Sequence, residues 1–494
     1  MGRITEGPWL DTWEGLERNL TFNPRPDIRI KHFPPEPGWE SLEGTAHFSN
    51  VTLWILVSSM TAMVAVPMRL PAQATSTGVT PPQAAVYGTG PQTPLRFAGE
   101  SAPENEASLG IGFSTLYDDN VLGRNSDRLS DEVFTFYSHL GVERLTEHVT
   151  MSFDYLPFFT LYRQLDQYDQ LNHNAKLAAA YQLTPWLNLG VHDTFSYQYG
   201  IFPSLLGQQL ASGPTSPTAL NQTIFPYTAR NLSNMAGLDL TFIKSRRTSL
   251  TLSGGYNQVR FGSEIEGQPL YNGNGLSAGL QVGYRVSEHT NVGILLLHQD
   301  TTYQGGKIFG NRWRSQIEST YLSMGSRLYP TVTAIGFGGV QYVRSIGQAS
   351  AGAAIAGSFH GAGGGSITKE VGNTAVDVSG QRSVSDGGGI YTSVVYSTAT
   401  IRVRRRLVGR WEVNWQGGAT RADASLFQST SRRTDGVIGD FGLDRPLSRG
   451  SVFHISYETS HQSSKGNLLI SAPFDRNRVT VGIDYQLKAI SLGR

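Results

Sequence analysis

The chain carries no cysteine in its 494 residues. That excludes disulfides and every metal centre built on thiolate, and it suits an oxidising envelope compartment. Charge is scarce: Asp, Glu, Lys and Arg make up 16% of the residues and the net charge is +1. A nucleic-acid partner needs a basic surface and finds no support in that balance. Beyond about residue 75 there is no long apolar run, which excludes a polytopic helical membrane protein. HExxH, the phosphate-binding loop and a thiol nucleophile are missing too, so neither an enzyme nor a cofactor is expected.

What is present is a period of two. Leu276, Ala278, Leu280, Val282, Tyr284 and Val286 alternate with Ser277, Gly279, Gln281, Gly283 and Arg285. The turn Ser287-Glu288-His289-Thr290 follows, and Val292, Ile294 and Leu296 lead back. Successive strand side chains point to opposite faces, so one face is apolar and the other small or polar. Each arm has about ten to twelve residues, the length of a tilted strand that crosses a bilayer.

The hairpin recurs along the chain. Leu145, Leu183, Val286, Leu328, Leu407 and Leu447 precede tight turns, mostly spaced by about forty residues or a multiple of it, and longer polar loops alternate with them. The spacing predicts an all-β fold over 106–494: an antiparallel up-and-down transmembrane barrel of about sixteen strands, with short periplasmic turns and long extracellular loops. Closure is required because hydrocarbon cannot satisfy a free strand edge. A soluble propeller has repeats of similar length but shorter strands.

The residues upstream read differently. Residues 1–50, with Trp9, Trp13, Pro34, Pro35 and Pro37, have no regular period and read as an extension from a start codon placed too far upstream. Val51–Ala74 is apolar and ends in the small-x-small triplet Ala72-Gln73-Ala74, the pattern of a secretory signal cleaved after Ala74. A single transmembrane anchor is the other reading of that segment, although its core is short for one. Residues 75–105, rich in Pro, Gly, Thr and Gln, read as a flexible periplasmic leader. The expected location is the bacterial outer membrane with both mature termini periplasmic. The expected partners are outer-membrane lipid, lipopolysaccharide and the barrel-assembly machinery, with a solute or polysaccharide as cargo and the oligomeric state open.

Aromatic residues fall where strands meet the membrane interfaces: Tyr155, Phe158, Phe159, Tyr197 and Tyr199 at the loop side, and Tyr181, Trp186, Phe242, Tyr284, Trp411 and Tyr485 at the turn side. If the apolar face meets lipid, the other face lines a lumen. The lining candidates are Asp154, His192, Asp239, Gln281, Arg285, Glu318, Arg402, Arg404, Glu412, Asn414, Asp440, Asp444, His454, Glu458, Arg478 and Asp484. Acids and bases are mixed there, so ionic selectivity should be weak. These charges equally suit pairs that hold the wall together.

The stretch from Arg344 to Gly388 reads as one long insertion, and its glycine- and alanine-rich part is pliable enough to fold into the mouth. Phe359 and His360 are then the constriction candidates; an external loop facing water is the plainer reading. Asp118, Asp119, Asn120, Asp127 and Asp131 could hold a divalent cation, although acidic loops usually just face water. His192, His454 and Asp440 would be the participants of a barrel hydrolase.

With Tyr117-Asp118-Asp119-Asn120-Val121 after the first strand, and turns such as Leu145-Thr146-Glu147, Leu183-Thr184-Pro185 and Val286-Ser287-Glu288, residues 105–494 resemble a family of outer-membrane β-barrel porins, some associated with exopolysaccharide export. The resemblance implies passage of solutes or polysaccharide and marks no substrate residues. The chain departs from the usual bacterial ending, because its last residue is Arg494 and not an aromatic. The function expected is a channel for diffusion or export of small solutes or polysaccharide; the alternative is a structural or adhesive surface barrel with a blocked lumen.

Overall fold

The computed structural model describes residues 105–492, apart from 124, 127, 201–228, 262–270, 306–311, 348–353, 386–393, 424–432, 449 and 466–472. The upstream extension, the signal and nearly all of the leader expected above lie outside the described residues.

Among the described residues, eighteen strands form the wall. They are β1 (Glu106–Asp118), β2 (Asp131–Leu145), β3 (Val149–Tyr162), β4 (Gln170–Thr184), β5 (Leu187–Gly200), β6 (Ala229–Ile243), β7 (Thr248–Phe261), β8 (Tyr271–Arg285) and β9 (Thr290–Gly305). The second half holds β10 (Arg312–Tyr329), β11 (Val332–Gly347), β12 (Ala354–Val371), β13 (Thr374–Ser385), β14 (Val394–Arg406), β15 (Glu412–Asp423), β16 (Arg433–Pro446), β17 (Ser451–Lys465) and β18 (Phe474–Gln486). Each strand pairs antiparallel with the next. The sheet closes where β18 pairs with β1, from Gly110 opposite Gln486 to Asp118 opposite Arg478. A two-residue β19 (Ile490–Ser491) continues that edge against Glu106 and Ala107.

The connections are of two kinds. At one end, the turn end, hairpins close tightly, as at Gly372-Asn373, where Gly372 takes a φ of +55° that a two-residue hairpin needs and glycine adopts without strain. At the other, the loop end, connections run longer. The two described ends of the chain meet at the turn end, where the Leu145 and Leu492 amides donate to Asn105 at 2.6 and 2.9 Å.

The architecture is an all-β closed antiparallel barrel, with eighteen strands where about sixteen were expected. The two extra strands are β12 and β13, cut from the segment read as one long insertion. The physical reason is glycine. Gly361, Gly363, Gly364 and Gly365 have no side chains to alternate, so the backbone ladder to β11 forms without a period-two trace in the sequence.

The face with Leu238, Leu252, Leu276, Ile294 and Leu322 is apolar and exposed, Leu276 to 64%. Side chains on the opposite face meet across intervening strands, which is possible only on the concave side. Tyr137 of β2 donates to Asp484 of β18 over β1. The polar face is therefore the interior.

Candidate functional site

The interior side chains follow from the register. Asp154, His192, Asp239, Gln281, Arg285, Arg402, Arg404, Glu412, Asn414, Asp440, Asp444, His454, Glu458, Arg478 and Asp484 share the inner face. Glu318 does not. It lies opposite His298 and Tyr342 on the outer face, and its Oε1 is 2.6 Å from His298 Nδ1. That expectation is corrected, and the cause is visible in β10: Ile317 and Tyr321 are buried inside while Leu322 and Met324 are exposed outside. With apolar residues on both faces, the period loses its phase. Phe158 is corrected the same way. It sits opposite Tyr137 on the inner face, buried, and not at an outer interface.

Several inner polar side chains are brought together with a partner. His139 Nε2 is 3.1 Å from Asp154, His192 Nδ1 is 3.4 Å from Asp239, and His454 Nδ1 is 3.5 Å from Asp484. Arg404 pairs with Glu412, which Arg406 also reaches at 3.6 Å. Arg402 donates to Gln416 at 3.3 Å, and Asn414 donates to Asp444. Near the loop end Arg476 and Arg478 both donate to the buried Asp118, and Arg478 also reaches Glu458 at 3.4 Å. Where opposite charges meet on neighbouring strands, as at Arg404 and Glu412, each offsets part of the other's field in the lumen.

Glycine keeps several of these side chains flat on the wall. A Cβ on Gly112 would lie 2.1 Å from the Tyr137 ring, one on Gly237 2.1 Å from the His192 ring, and one on Gly482 2.3 Å from the His454 ring. Each ring occupies the space the glycine leaves and reaches its acid beyond it.

The interior has two sides. From β13 round through β18 to β6 it is charged. From β7 to β12 its middle is neutral: Ser249, Ser253, Ser277, Gly279, Gly293 and Ser323, then a patch of Leu295, Tyr321, Phe337 and Ala362.

The expected constriction also changes identity. Phe359 and His360 belong to a strand, not a loop. Phe359 is 76% exposed on the outer face, its ring centroid 4.8 Å from that of Tyr342, and His360 turns inward to Ser358 at 2.6 Å. What enters the interior is the loop end of β13 and β14. Val384 and Val395 pack on Ile317 and Val343, which are inner-face residues of β10 and β11. Gln341, fully buried on β11, fixes this second layer: its Oε1 accepts from the Val384 N–H at 2.7 Å, and its Nε2 donates to the Val384 carbonyl at 3.3 Å. The sequence does carry a trace of it. Val394, Val395 and Tyr396 are consecutive and all buried, the pattern of a strand covered on both faces.

The loop-end acids serve the backbone. Asp118 holds the two arginines, and Asp131 accepts from the Gln164 and Leu165 amides at 3.1 and 3.0 Å. In the β3–β4 loop, burial, with the nearby Asp166 and Asp131 charges, pushes the Asp169 carboxyl above the ordinary range, against the hydrogen bond donated by the Tyr162 N–H. Asp127 lies outside the described residues, and among those described no three acid or histidine side chains form a metal-binding group. His192 and His454 each pair with their own acid on separate parts of the wall, and Asp440 faces Glu458. The hydrolase participants do not converge. Gly275-Leu276-Ser277-Ala278-Gly279 does spell GxSxG, but it runs through the middle of β8, paired on both sides. It makes no strand-to-helix elbow.

No protein-family model matches the sequence, and neither does any curated protein. Among solved structures, the chain is similar to OccK2 (OpdF) of Pseudomonas aeruginosa, with 13% identity and a TM-score of 0.41, covering 77% of this chain and 98% of that one. It is similar to OccAB3 of Acinetobacter baumannii at 12% identity and a TM-score of 0.40, covering 77% and 99%. OpdK of P. aeruginosa, crystallised with vanillate, gives 11%, 0.40, 77% and 99%. A likeness this distant carries no functional conclusion; the barrel stands on its own strand pairings.

Proposed function

We propose that this protein is a diffusion channel of the bacterial outer membrane, with its turn end and both mature termini in the periplasm. The observation that carries the reading is the closed antiparallel wall of eighteen described strands with exposed leucines outside and a polar, largely charged face inside. Sixteen to eighteen strands enclose an aqueous channel, whereas about eight are filled by side chains. The exposed apolar face needs hydrocarbon as its solvent, and closure satisfies every strand edge around it.

The cargo follows from the interior. Small solutes suit a lumen narrowed by the Val384–Val395 layer, with neutral polyols favoured along the serine-lined side. A polysaccharide strand is the larger cargo of the same class. No catalytic step is assigned. The test is single-channel recording in planar bilayers together with liposome swelling in a graded series of sugars. Open-channel current and swelling that falls with sugar size support the reading; a silent trace at high protein load favours a blocked surface barrel instead.

A further inference from the structure

A groove of about 540 Å³ crosses the outer face, from Ala278 on β8 past Leu296, Thr320 and Val340 to Tyr342 and Phe359. It follows one row of facing positions: Ala278 lies opposite His298, His298 opposite Glu318, Glu318 opposite Tyr342, and Tyr342 opposite Phe359. Four strand spacings of about 4.8 Å give it a length of roughly 19 Å, that of one saturated acyl chain. Beside the row, Gly338 and Gly361 share the outer face with Val340 and keep it open, because a Cβ on either would meet nothing within 4 Å.

The groove climbs. At about 3.3 Å per residue and about 40° of tilt, Ala278 stands roughly 18 Å above the base of β8 at Arg285, and Phe359 roughly 30 Å above the base of β12 at Val371. The apolar band is about 25 Å tall, so the groove leaves the hydrocarbon at its β11–β12 end. Its chemistry changes along the same climb. The low end is lined by Leu280 and Leu296. Farther up, His298 and Glu318 form a half-exposed ion pair, which bare hydrocarbon leaves without further hydrogen bonds. Arg344 stands on the same face next above Tyr342, opposite Gln316 and Gly357. Arg314 on that face is taken by Asp300, whereas Arg344 has no acid beside it among the described residues.

We propose that this groove seats one lipid A molecule of the outer leaflet. One acyl chain lies along the row, the hydroxyl and amide N–H at its head donate to the Glu318 carboxylate, and the sugar phosphate meets Arg344. This rests on the outer-membrane placement above, with the turn end periplasmic, and adds a lipid site to the outside of the wall. The occupant is set by its donors and its charge. A glycerophospholipid presents ester carbonyls at the depth of Glu318, and a carboxylate gains nothing from them because both are acceptors. Lipid A presents amides and hydroxyls there. Its phosphate also suits a guanidinium, whose fork of N–H groups matches phosphate oxygens.

The test is native mass spectrometry of the folded, detergent-solubilised protein with lipid A and phosphatidylglycerol in competition. Both carry phosphate, but only lipid A has donors at the depth of Glu318. The wild type should retain lipid A several-fold over phosphatidylglycerol, and Glu318→Met should bring the two level. Arg344→Gln should lower lipid A retention about fivefold, the effect of one arginine near a charged surface. The absence of cysteine allows a check that bypasses folding: V340C is folded first and then labelled with a bulky maleimide, which should displace lipid A. Equal retention of the two lipids by the wild type, or lipid A retention untouched by Arg344→Gln and by the label, overturns the site. So does a dimer or trimer mass that the label dissociates, because the groove is then a subunit interface. Planar-bilayer recording of the same preparation separates the two readings. Conductance without a lipid preference overturns the site and leaves the channel; a preference in a silent protein supports the site and overturns the channel.

Discussion

The Tyr137 hydroxyl of β2 donates to Asp484 of β18 by lying across Gly112 of the strand between them. The bond ties three strands at the place where the barrel closes, and it exists because the middle residue has no side chain. Asp484 also faces His454 at 3.5 Å over a second glycine, Gly482. The closing seam is thus laced by rings laid flat on glycines. The arrangement fastens the wall without spending lumen.

Replacing Gly112 with alanine should push the Tyr137 ring off Asp484 and into the interior. The ring end can swing, so the stability cost is only that of the lost hydrogen bond, about 1–2 kcal/mol. Conductance should fall by more than that cost suggests, and G112A/Y137F should recover part of it. Recordings of the three variants check this; unchanged conductance in G112A would mean the ring finds another place on the wall.

Gln341 should decide whether the second layer stays inside. In the cysteine-free chain, Cys replacements at Val343 and Val384 place two thiols within one packed cluster and should oxidise readily. Adding Gln341→Ala removes both bonds to the Val384 backbone and should slow that cross-link several-fold, with noisier open-channel current. Identical cross-linking rates with and without Gln341 would show that the valines alone hold the layer.

Ionic selectivity should be weak and easily tilted. Glu412→Gln removes one negative charge beside Arg404 and Arg406, so the reversal potential in a salt gradient should shift toward anions. Arg404→Gln should shift it toward cations. Matching shifts of one sign in both variants would place this pair away from the ion path.

The two faces should respond differently to the same charge. Leu252→Arg sets a guanidinium on the exposed apolar face and should destabilise folding into liposomes by about 2–4 kcal/mol near the bilayer midplane. Ser253→Arg, one residue on, points inward and should cost less while lowering conductance. Equal folding costs would contradict the assignment of lipid and lumen faces.

The barrel was legible where side chains alternate. Leu276 to Val286 states its period plainly, because period two is imposed by the strand backbone and one face must be apolar. The inner charges could be read from the same phase. Reading failed where the phase is hidden or doubled. Gly361 to Gly365 show none, which concealed β12 and β13, and Ile317 beside Leu322 shows two, which sent Glu318 to the wrong face.

By itself, then, the order of residues determined an antiparallel sheet with one oily and one polar face, long enough in its repeats to need closure. Those are local consequences of backbone geometry and hydrophobic patterning. Only the tertiary structure decided the strand number, the pairing of each inner charge, and the departure of β13 from the wall to lie on Gln341. Each of these depends on which distant strands become neighbours once the sheet closes, and contacts across a closed sheet leave no period in the chain.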